Sequence, residues 1–404
     1  NRFQKSYKNF GFCRFLAIFA RKGNVMIERE QKQQIEQLIG SHKAIIIYGA
    51  RQVGKSTLLH QLFDDKDGVM WMNGDDIDIQ QLFQNMTSTR LKALLGNSKW
   101  LVVDEAQRIP EIGLRLKLVT DQMSNVQVVA TGSSSFQLAS GIQESLTGRK
   151  REFRMFPITF QEMAGHTNLL EEHRMIPHRM VYGYYPEVVS SPGQEREVLH
   201  ELANSYLYKD ILTLDNINKP DKVVKLLQAL AYQIGEQVSY NEIGQLIGLD
   251  PKTIEKYVDV LEKSFIIFRL GSFSRNLRNE LKSSRKIYFW DLGIRNAVIA
   301  NFQQVEFRQD TGALWENFAI AERLKMLNIH QPYANVWFWR TQQQREIDYI
   351  EESNGTTRAY EMKWNVKKAN VKVPEAFAKA YPDATFKVVT PENVSDFLLG
   401  GDCE

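Results

Sequence analysis

Cysteine is almost absent from this 404-residue sequence, which has only Cys13 and Cys403, one near each end. Two thiols placed so far apart exclude a disulfide framework and a cysteine zinc site, and their scarcity is typical of a reducing compartment. Long apolar runs are also missing, since none approaches the ~18 residues that a membrane-spanning helix needs. The sequence therefore predicts a cytoplasmic protein that has no membrane partner.

A strong net charge is missing as well, because 51 basic residues oppose 48 acidic ones. Six of the basic residues and none of the acidic ones lie within residues 1–27, which leaves 45 against 48 for the rest. Any nucleic-acid contact of the folded body must therefore be a local patch. We expect residues 1–25 to be a basic N-terminal extension, disordered or lying upstream of the folded body.

A phosphate-binding loop is the strongest pattern that is present. An apolar run over residues 44–48 predicts a buried strand, and the segment after residue 56 predicts a helix. Between them stands the GxxxxGK[ST] pattern, whose backbone amides and helix N-terminus suit phosphate oxygens. We expect Lys55 to contact the β- and γ-phosphates of ATP and Ser56 to hold Mg²⁺. The predicted nucleotide-binding residues are Gly49, Ala50, Arg51, Gln52, Val53, Gly54, Lys55, Ser56 and Thr57.

A second apolar strand, residues 100–103, delivers Asp104 and Glu105 to the same predicted edge. An aspartate there can hold the Mg²⁺ shell, and the adjacent glutamate can polarise the attacking water. Strands alternate with helices up to residue 160, which predicts an α/β domain with a parallel sheet. Ligands bind at the carboxyl ends of such strands, so Ser133 is the candidate sensor of the γ-phosphate. A serine-rich helix cap is the alternative for Ser133.

Arg149 follows in a basic segment, and we assign it two alternative roles. As a catalytic arginine it would stabilise charge on the γ-phosphate of a neighbouring subunit, which implies a homo-oligomer. The alternative is a solvated basic turn.

Several motifs together resemble one known family. They are the phosphate loop, LVVDEAQ (101–107), TGS (131–133), LTGR (146–149), PITF (157–160) and GYYPE (183–187). The set resembles the bacterial and archaeal AAA-type ATPases that carry a C-terminal domain of unknown function (AAA_14 with DUF4143). The resemblance extends from Met26 almost to the C-terminus, and it implies ATP binding, the fold and this order of domains.

Residues 161–220 predict a helical lid or connector, and residues 221–275 predict a winged helix-turn-helix. Ser239 is expected to cap its second helix, and the turn contains Gly248 and Pro251. The third helix mixes lysines with acids, so it is not a strongly basic recognition helix. Contact with DNA and a purely structural or protein-binding role both remain open.

The segment 276–404 contains a second candidate site. Glu316 on a helix, Asp348 on one strand, and Glu361 and Lys363 on the next look like the PD-(D/E)xK nuclease core. Glu361 and Lys363 would share one face of their strand. The three carboxylates would bind Mg²⁺ through oxygen, and Lys363 would orient or activate the attacking water. Nuclease-like cores also exist as inert scaffolds, which is the alternative here.

The sequence thus predicts an AAA-type ATPase domain (26–160), a helical lid (161–220), a winged helix (221–275) and a nuclease-like α/β domain (276–404). The leading function is ATP-driven action on nucleic acid, DNA rather than RNA, with metal-dependent cleavage as a further activity. The alternative is a nucleotide-dependent switch or scaffold that binds protein partners through a catalytically silent C-terminal domain.

Overall fold

A computed structural model describes residues 26–84, 86–133, 146–204, 219–273, 285–330 and 333–400. The predicted N-terminal extension and both cysteines lie outside these ranges. So do residues 134–145, 205–218 and 274–284.

A parallel five-stranded sheet forms the first domain, in the order β2-β3-β4-β1-β5. Every residue of β1 and β4, two of its central strands, is buried, and most are aliphatic, because helices cover both faces of such a sheet. The fold class predicted from the alternating pattern is confirmed. The strands are β1 (Ala44–Gly49), β2 (Val69–Asn73), β3 (Trp100–Asp104), β4 (Gln127–Gly132) and β5 (Lys150–Met155).

The helices of this domain follow the predicted alternation, with one difference. Residues 77–95 form two helices instead of one, since Thr87 caps the second by accepting a hydrogen bond from Arg90 N at 3.3 Å. The helices are α1 (Gln31–Leu38), α2 (Lys55–Phe63), α3 (Ile77–Gln84), α4 (Ser88–Leu95) and α5 (Ile112–Gln122), with a 3₁₀ turn at Ala106–Arg108.

Helices with short connections occupy residues 160–202 and 220–263. Ser239 and Asp250 cap the second and third helices of the latter group by accepting from Glu242 N and Thr253 N, at 3.3 and 3.0 Å. The helices are α6 (Phe160–His166), α7 (Leu169–Tyr182), α8 (Pro186–Val189), α9 (Glu195–Leu202), α10 (Pro220–Tyr232), α11 (Tyr240–Ile247) and α12 (Pro251–Lys263).

A mixed seven-stranded sheet forms the C-terminal half, in the order β12-β11-β10-β9-β7-β8-β6. Its strands are β6 (Gln237–Val238), β7 (Ile267–Ser272), β8 (Arg285–Phe289), β9 (Asn335–Arg340), β10 (Glu346–Ser353), β11 (Thr356–Met362) and β12 (Thr385–Val389). The accompanying helices are α13 (Leu292–Val298), α14 (Thr311–His330), α15 (Glu375–Ala380) and α16 (Val394–Leu398), and 3₁₀ turns occupy Val305–Phe307 and Val366–Lys368.

This second sheet joins the predicted winged helix to the nuclease-like segment. Strands β6, β7 and β8 would be the wing, yet β7 also pairs in parallel with β9, at Gly271 with Trp337 and Ser272 with Phe338. Residue 275 therefore does not separate two independent sheets. The winged-helix assignment and the predicted domain limits stay predictions.

The two halves pack against each other through aromatic rings. The ring centroid of Phe156, just after β5, lies 4.5 Å from that of Trp290 and 6.1 Å from that of Phe265. Buried residues of both halves belong to one continuous apolar core. Within the described ranges, no helix is both long enough and apolar enough to cross a membrane.

Candidate nucleotide site and C-terminal carboxylate cluster

The loop after β1 is shaped by two glycines. A Cβ on Gly49 would lie 1.9 Å from the carbonyl oxygen of Met155, so only glycine fits there. Gly54 has a φ of +96°, a left-handed conformation that L side chains rarely adopt, and it precedes the first turn of α2. Between them Gln52 also has a positive φ, +58°. The chain therefore curls tightly around the N-terminus of α2.

Lys55 opens helix α2 and is buried under this loop. Its Nζ donates hydrogen bonds to the carbonyl oxygens of Gly49 at 2.9 Å and Ala50 at 2.7 Å. These contacts place a cation at the loop and helix N-terminus, where phosphate oxygens are favoured. The chemistry of the loop fits ATP.

Asp104 and Glu105 stand at the carboxyl end of β3, on the same edge as the loop. The hydroxyl of Thr131, on the neighbouring strand β4, donates to Asp104 Oδ1 and accepts from Glu105 N at 3.3 Å. Glu105 has a φ of +48°, an uncommon conformation that occurs at functional sites. Gly74 packs so closely that an added Cβ would lie 2.1 Å from Glu105 O.

Ser133 is buried just after β4, and Gln107 links it to Glu105. The Gln107 amide Nε2 donates to Ser133 Oγ at 3.0 Å and also to Glu105 Oε2. The structure therefore brings together Asp104, Glu105 and Ser133, which the sequence placed at separate strand ends. Sequence reasoning gave no role to Thr131 or Gln107, although both stand in motifs that carried the family resemblance.

Arg29 is a further residue that sequence reasoning missed, because no motif surrounds it. Its guanidinium donates to Val53 O in the phosphate loop at 2.9 Å, to Phe156 O at 2.7 Å and to Glu162 Oε1 at 2.9 Å. Glu162 in turn completes a capping box with Thr159 at the start of α6. Arg29 thus ties the phosphate loop to β5 and α6.

Arg149 lies at the opposite end of the strands from the phosphate loop. Its carbonyl oxygen accepts a 2.8 Å hydrogen bond from Ala44 N, at the start of β1, whereas the loop follows the end of that strand. Five residues of strand span about 16 Å. Its side chain forms a half-exposed ion pair with Asp121 at 2.5 Å. Arg149 therefore does not contact the loop of its own chain, and the role across a subunit boundary stays a prediction.

The four predicted residues of the C-terminal site come from three elements. Glu316 projects from α14, Asp348 from β10, Glu361 from β11, and Lys363 follows that strand. Lys363 Nζ donates to Glu361 Oε1 at 2.6 Å, and Asp348 Oδ2 accepts from Met362 N at 2.8 Å.

Burial raises the pKa of the Asp348 carboxyl well above its usual range, and the nearby Glu316 and Glu361 add to that rise. Burial also raises the pKa of Glu361, against the opposing effect of Lys363. The four positions therefore lie within electrostatic reach of one another, as the pattern implied.

Further residues that were not predicted belong to this cluster. Lys286, on β8, donates to Glu316 Oε1 at 2.9 Å and also pairs with Glu346. Tyr288 OH donates to the same Glu316 oxygen at 2.6 Å. Among the described residues, no group of three or more His, Cys, Asp or Glu side chains is placed to hold a metal ion.

The strand order and the loop define the first domain as a P-loop ATPase fold. Family profiles agree, since an AAA domain (AAA_14) matches residues 41–164 and a domain of unknown function (DUF4143) matches residues 311–398. The chain therefore contains both domains that the motifs predicted. A third profile, also a domain of unknown function (DUF8612), matches residues 173–305 and crosses both domain limits predicted at 220 and 275.

Relatives occur in bacteria and archaea, and each bears only the name of an uncharacterized protein. One from Mycobacterium tuberculosis is 23% identical over 349 residues, covering 85% of this chain and 76% of that protein. One from Haemophilus influenzae is 26% identical, covering 68% and 74%. One from Methanocaldococcus jannaschii is 24% identical, covering 74% and 71%.

Solved structures show only loose overall similarity. The Walker-type ATPase PABY2304 of Pyrococcus abyssi superposes with a TM-score of 0.49 at 14% identity, covering 68% of this chain and 96% of that one. Cdc6p of Pyrobaculum aerophilum gives 0.29 at 14% identity, covering 70% and 97%. The strand order and the loop, rather than these superpositions, define the fold.

Proposed function

We propose that this protein binds and hydrolyses ATP at the phosphate loop. The observation that carries the proposal is the convergence of Lys55, Asp104, Glu105 and Ser133 on one edge of the parallel sheet. When bound, Mg²⁺ would be held by Ser56 and Asp104 and would neutralise developing phosphate charge. Lys55 would bind the β- and γ-phosphates.

Glu105 would orient the attacking water and accept its proton, and Ser133 would contact the γ-phosphate. The hydrogen bonds from Gln107 to both side chains support this division of roles, because one amide fixes the positions of Glu105 and Ser133 relative to each other.

Two variants test the ATPase proposal. Lys55→Ala should abolish nucleotide binding, measured with a fluorescent ATP analogue. Glu105→Gln should bind ATP but hydrolyse it at least about 100-fold more slowly, which is the usual effect of losing a general base. Lys92→Ala, at an exposed lysine on α4, is the matched control. Undiminished hydrolysis by Lys55→Ala would refute the assignment.

We further propose that the ATPase acts on nucleic acid through helix α12. Its acids are paired with arginines of the neighbouring strands: Asp259 and Glu262 with Arg269, and Glu255 with Arg285. These ion pairs neutralise the acidic side chains that lie among the lysines of this helix.

The exposed lysines of α12 then form a positive stripe. Lys252, Lys256 and Lys263 are spaced by four and seven residues, which puts them on one side of the helix. Such a stripe suits the phosphate backbone of duplex DNA. If a lysine contacts a phosphate, its replacement by alanine should reduce the slope of log K against log salt concentration by about 1 in magnitude. An unchanged slope in the triple variant would favour the alternative, a switch that binds protein partners.

The C-terminal cluster supports two candidate roles. The 2.6 Å pair of Lys363 with Glu361 favours metal-dependent cleavage of nucleic acid, with Glu316, Asp348 and Glu361 as ligands. The burial of Lys286 against Glu316 favours a silent scaffold. Cleavage of duplex or single-stranded DNA that is lost in Lys363→Ala, while ATP hydrolysis persists, would identify the first role.

A further inference from the structure

Lys286 is a fully enclosed cation inside the C-terminal carboxylate cluster. Its side chain is only 2% exposed, although lysine is rarely buried unless it is paired. It comes from β8, in the predicted wing, whereas the carboxylates that it contacts come from α14 and β10. The ammonium therefore bridges two parts of the chain at the place where Glu316 was expected to hold a metal ion.

One oxygen of each predicted ligand carboxylate already accepts a hydrogen bond. Glu316 Oε1 accepts from both Lys286 Nζ and Tyr288 OH, at 2.9 and 2.6 Å. Asp348 Oδ2 accepts from Met362 N at 2.8 Å, and Glu361 Oε1 accepts from Lys363 Nζ at 2.6 Å. An incoming divalent ion would therefore meet carboxylates that each have one oxygen engaged by a donor of the chain itself.

The charges of the cluster also largely offset one another without an ion. Three cationic side chains and four carboxylates form it, and one of the three cations, Arg340, pairs with Glu346 at 3.2 Å. Carboxylates that crowd together need compensating positive charge, and the chain itself supplies most of it. The cations are Lys286, Arg340 and Lys363, and the carboxylates are Glu316, Glu346, Asp348 and Glu361.

We propose that the Lys286 ammonium is the built-in counter-cation of this cluster and takes the place of a divalent ion. The native C-terminal site then binds no Mg²⁺ or Mn²⁺, and removal of the ammonium opens a divalent site between Glu316 and Asp348. The inference selects the silent scaffold over cleavage, and it is independent of the proposed ATPase.

The test compares full-length wild type with Lys286→Met in Mn²⁺, without nucleotide, so that no phosphate recruits an ion to the loop. The melting temperature of wild type should not change with Mn²⁺. That of Lys286→Met should rise by about 2 °C or more, because an ion that binds only the folded state stabilises it. Asp348→Asn in the same background should cancel the rise.

Either of two results would overturn the proposal. One is a Mn²⁺-dependent rise in wild type that Asp348→Asn removes, which would mean that the ion binds beside the ammonium. The other is a folded Lys286→Met variant that shows no rise. Lys55→Ala in the Lys286→Met background controls for the nucleotide site, and the rise should persist there.

A second measurement covers the case in which Lys286→Met fails to fold. The double variant Lys286→Met/Glu316→Gln removes the ammonium and one carboxylate charge together. If the ammonium is the counter-charge of Glu316, this double variant should fold although Lys286→Met does not. A double variant that also fails to fold would refute the pairing on which the proposal depends.

Discussion

The buried ion pair between Arg29 and Glu162 gives the sharpest stability prediction. Their side chains are 8% and 1% exposed, and the pair joins residues 133 positions apart in the sequence. Loss of one partner of a buried pair costs about 3–5 kcal/mol, because the other charge stays buried without its counter-ion. Glu162 keeps hydrogen bonds from Glu30 N and Thr159 N, at 3.1 and 3.0 Å, so Arg29→Met should fall near the lower end, about 3 kcal/mol.

The same substitution should weaken nucleotide binding, because Val53 in the phosphate loop loses the donor that holds its carbonyl. We expect the Kd for ATP to rise by about tenfold, the effect of one lost hydrogen bond to a charged group. Arg29→Lys keeps the charge, but its compact ammonium lacks the extended planar guanidinium that reaches all three partners of Arg29, so it should recover stability more than ATP affinity.

The assay is urea unfolding of the Arg29→Met, Glu162→Gln and double variants, followed by ATP titration. The double variant should lose at least about 1 kcal/mol less than the sum of the single losses. Arg174→Met is the matched control, since Arg174 pairs with Glu171 at 3.2 Å with side chains 64% and 55% exposed. A control of this kind should lose less than about 1 kcal/mol. An Arg29→Met loss no larger than the control's would refute the reasoning.

Three further predictions concern assembly, pH and the loop. Arg149→Ala should bind ATP normally but hydrolyse it poorly, and mixing it with Glu105→Gln should restore activity; full activity of Arg149→Ala in a proven monomer would exclude the role across subunits. The contact with the Glu30 carboxylate raises the pKa of His330 against the effect of burial, with His330 Nε2 3.4 Å from Glu30 Oε2. The contact therefore stabilises the fold fully below the unfolded-state pKa of about 6.5 and loses that effect as pH rises through the raised pKa of the folded state, so His330→Gln should cost more at low pH than at high pH in thermal melts. Gly49→Ala should abolish ATP binding, because its Cβ would lie 1.9 Å from Met155 O, and wild-type affinity in an equilibrium titration would contradict that packing.

The arrangement of the proposed nucleotide site was largely predictable because its residues are local in the chain. The phosphate loop, its strand and its helix are contiguous, and each acidic or polar group directly follows an apolar strand. Parallel strands end on one edge, so Asp104, Glu105 and Ser133 could be placed near Lys55 before any coordinates. The capping of α11 by Ser239 was equally local.

Strand β5 escaped prediction for a physical reason. It is the sequence Lys-Arg-Glu-Phe-Arg-Met at the edge of the sheet, where charged side chains are tolerated because solvent covers one side. It contains no apolar run that would predict a strand, and the strand with which it pairs, β1, lies more than 100 residues earlier. Its position also decided that Arg149 lies far from the loop of its own chain.

The sequence by itself determined the phosphate-loop pattern and the C-terminal pattern of carboxylates and lysine. It also determined the order of the elements and the P-loop ATPase fold. Tertiary structure alone decided that Arg29 donates a hydrogen bond to the carbonyl of Val53 and that Lys286 pairs with carboxylates of the C-terminal cluster. It also decided that the predicted wing continues into the last sheet. These contacts join residues 24 to 133 positions apart, as Arg29 shows. Their partners are set by which elements pack together, a property that no local spacing contains, because a buried charge is stabilised by whichever counter-charge the folded chain brings to it.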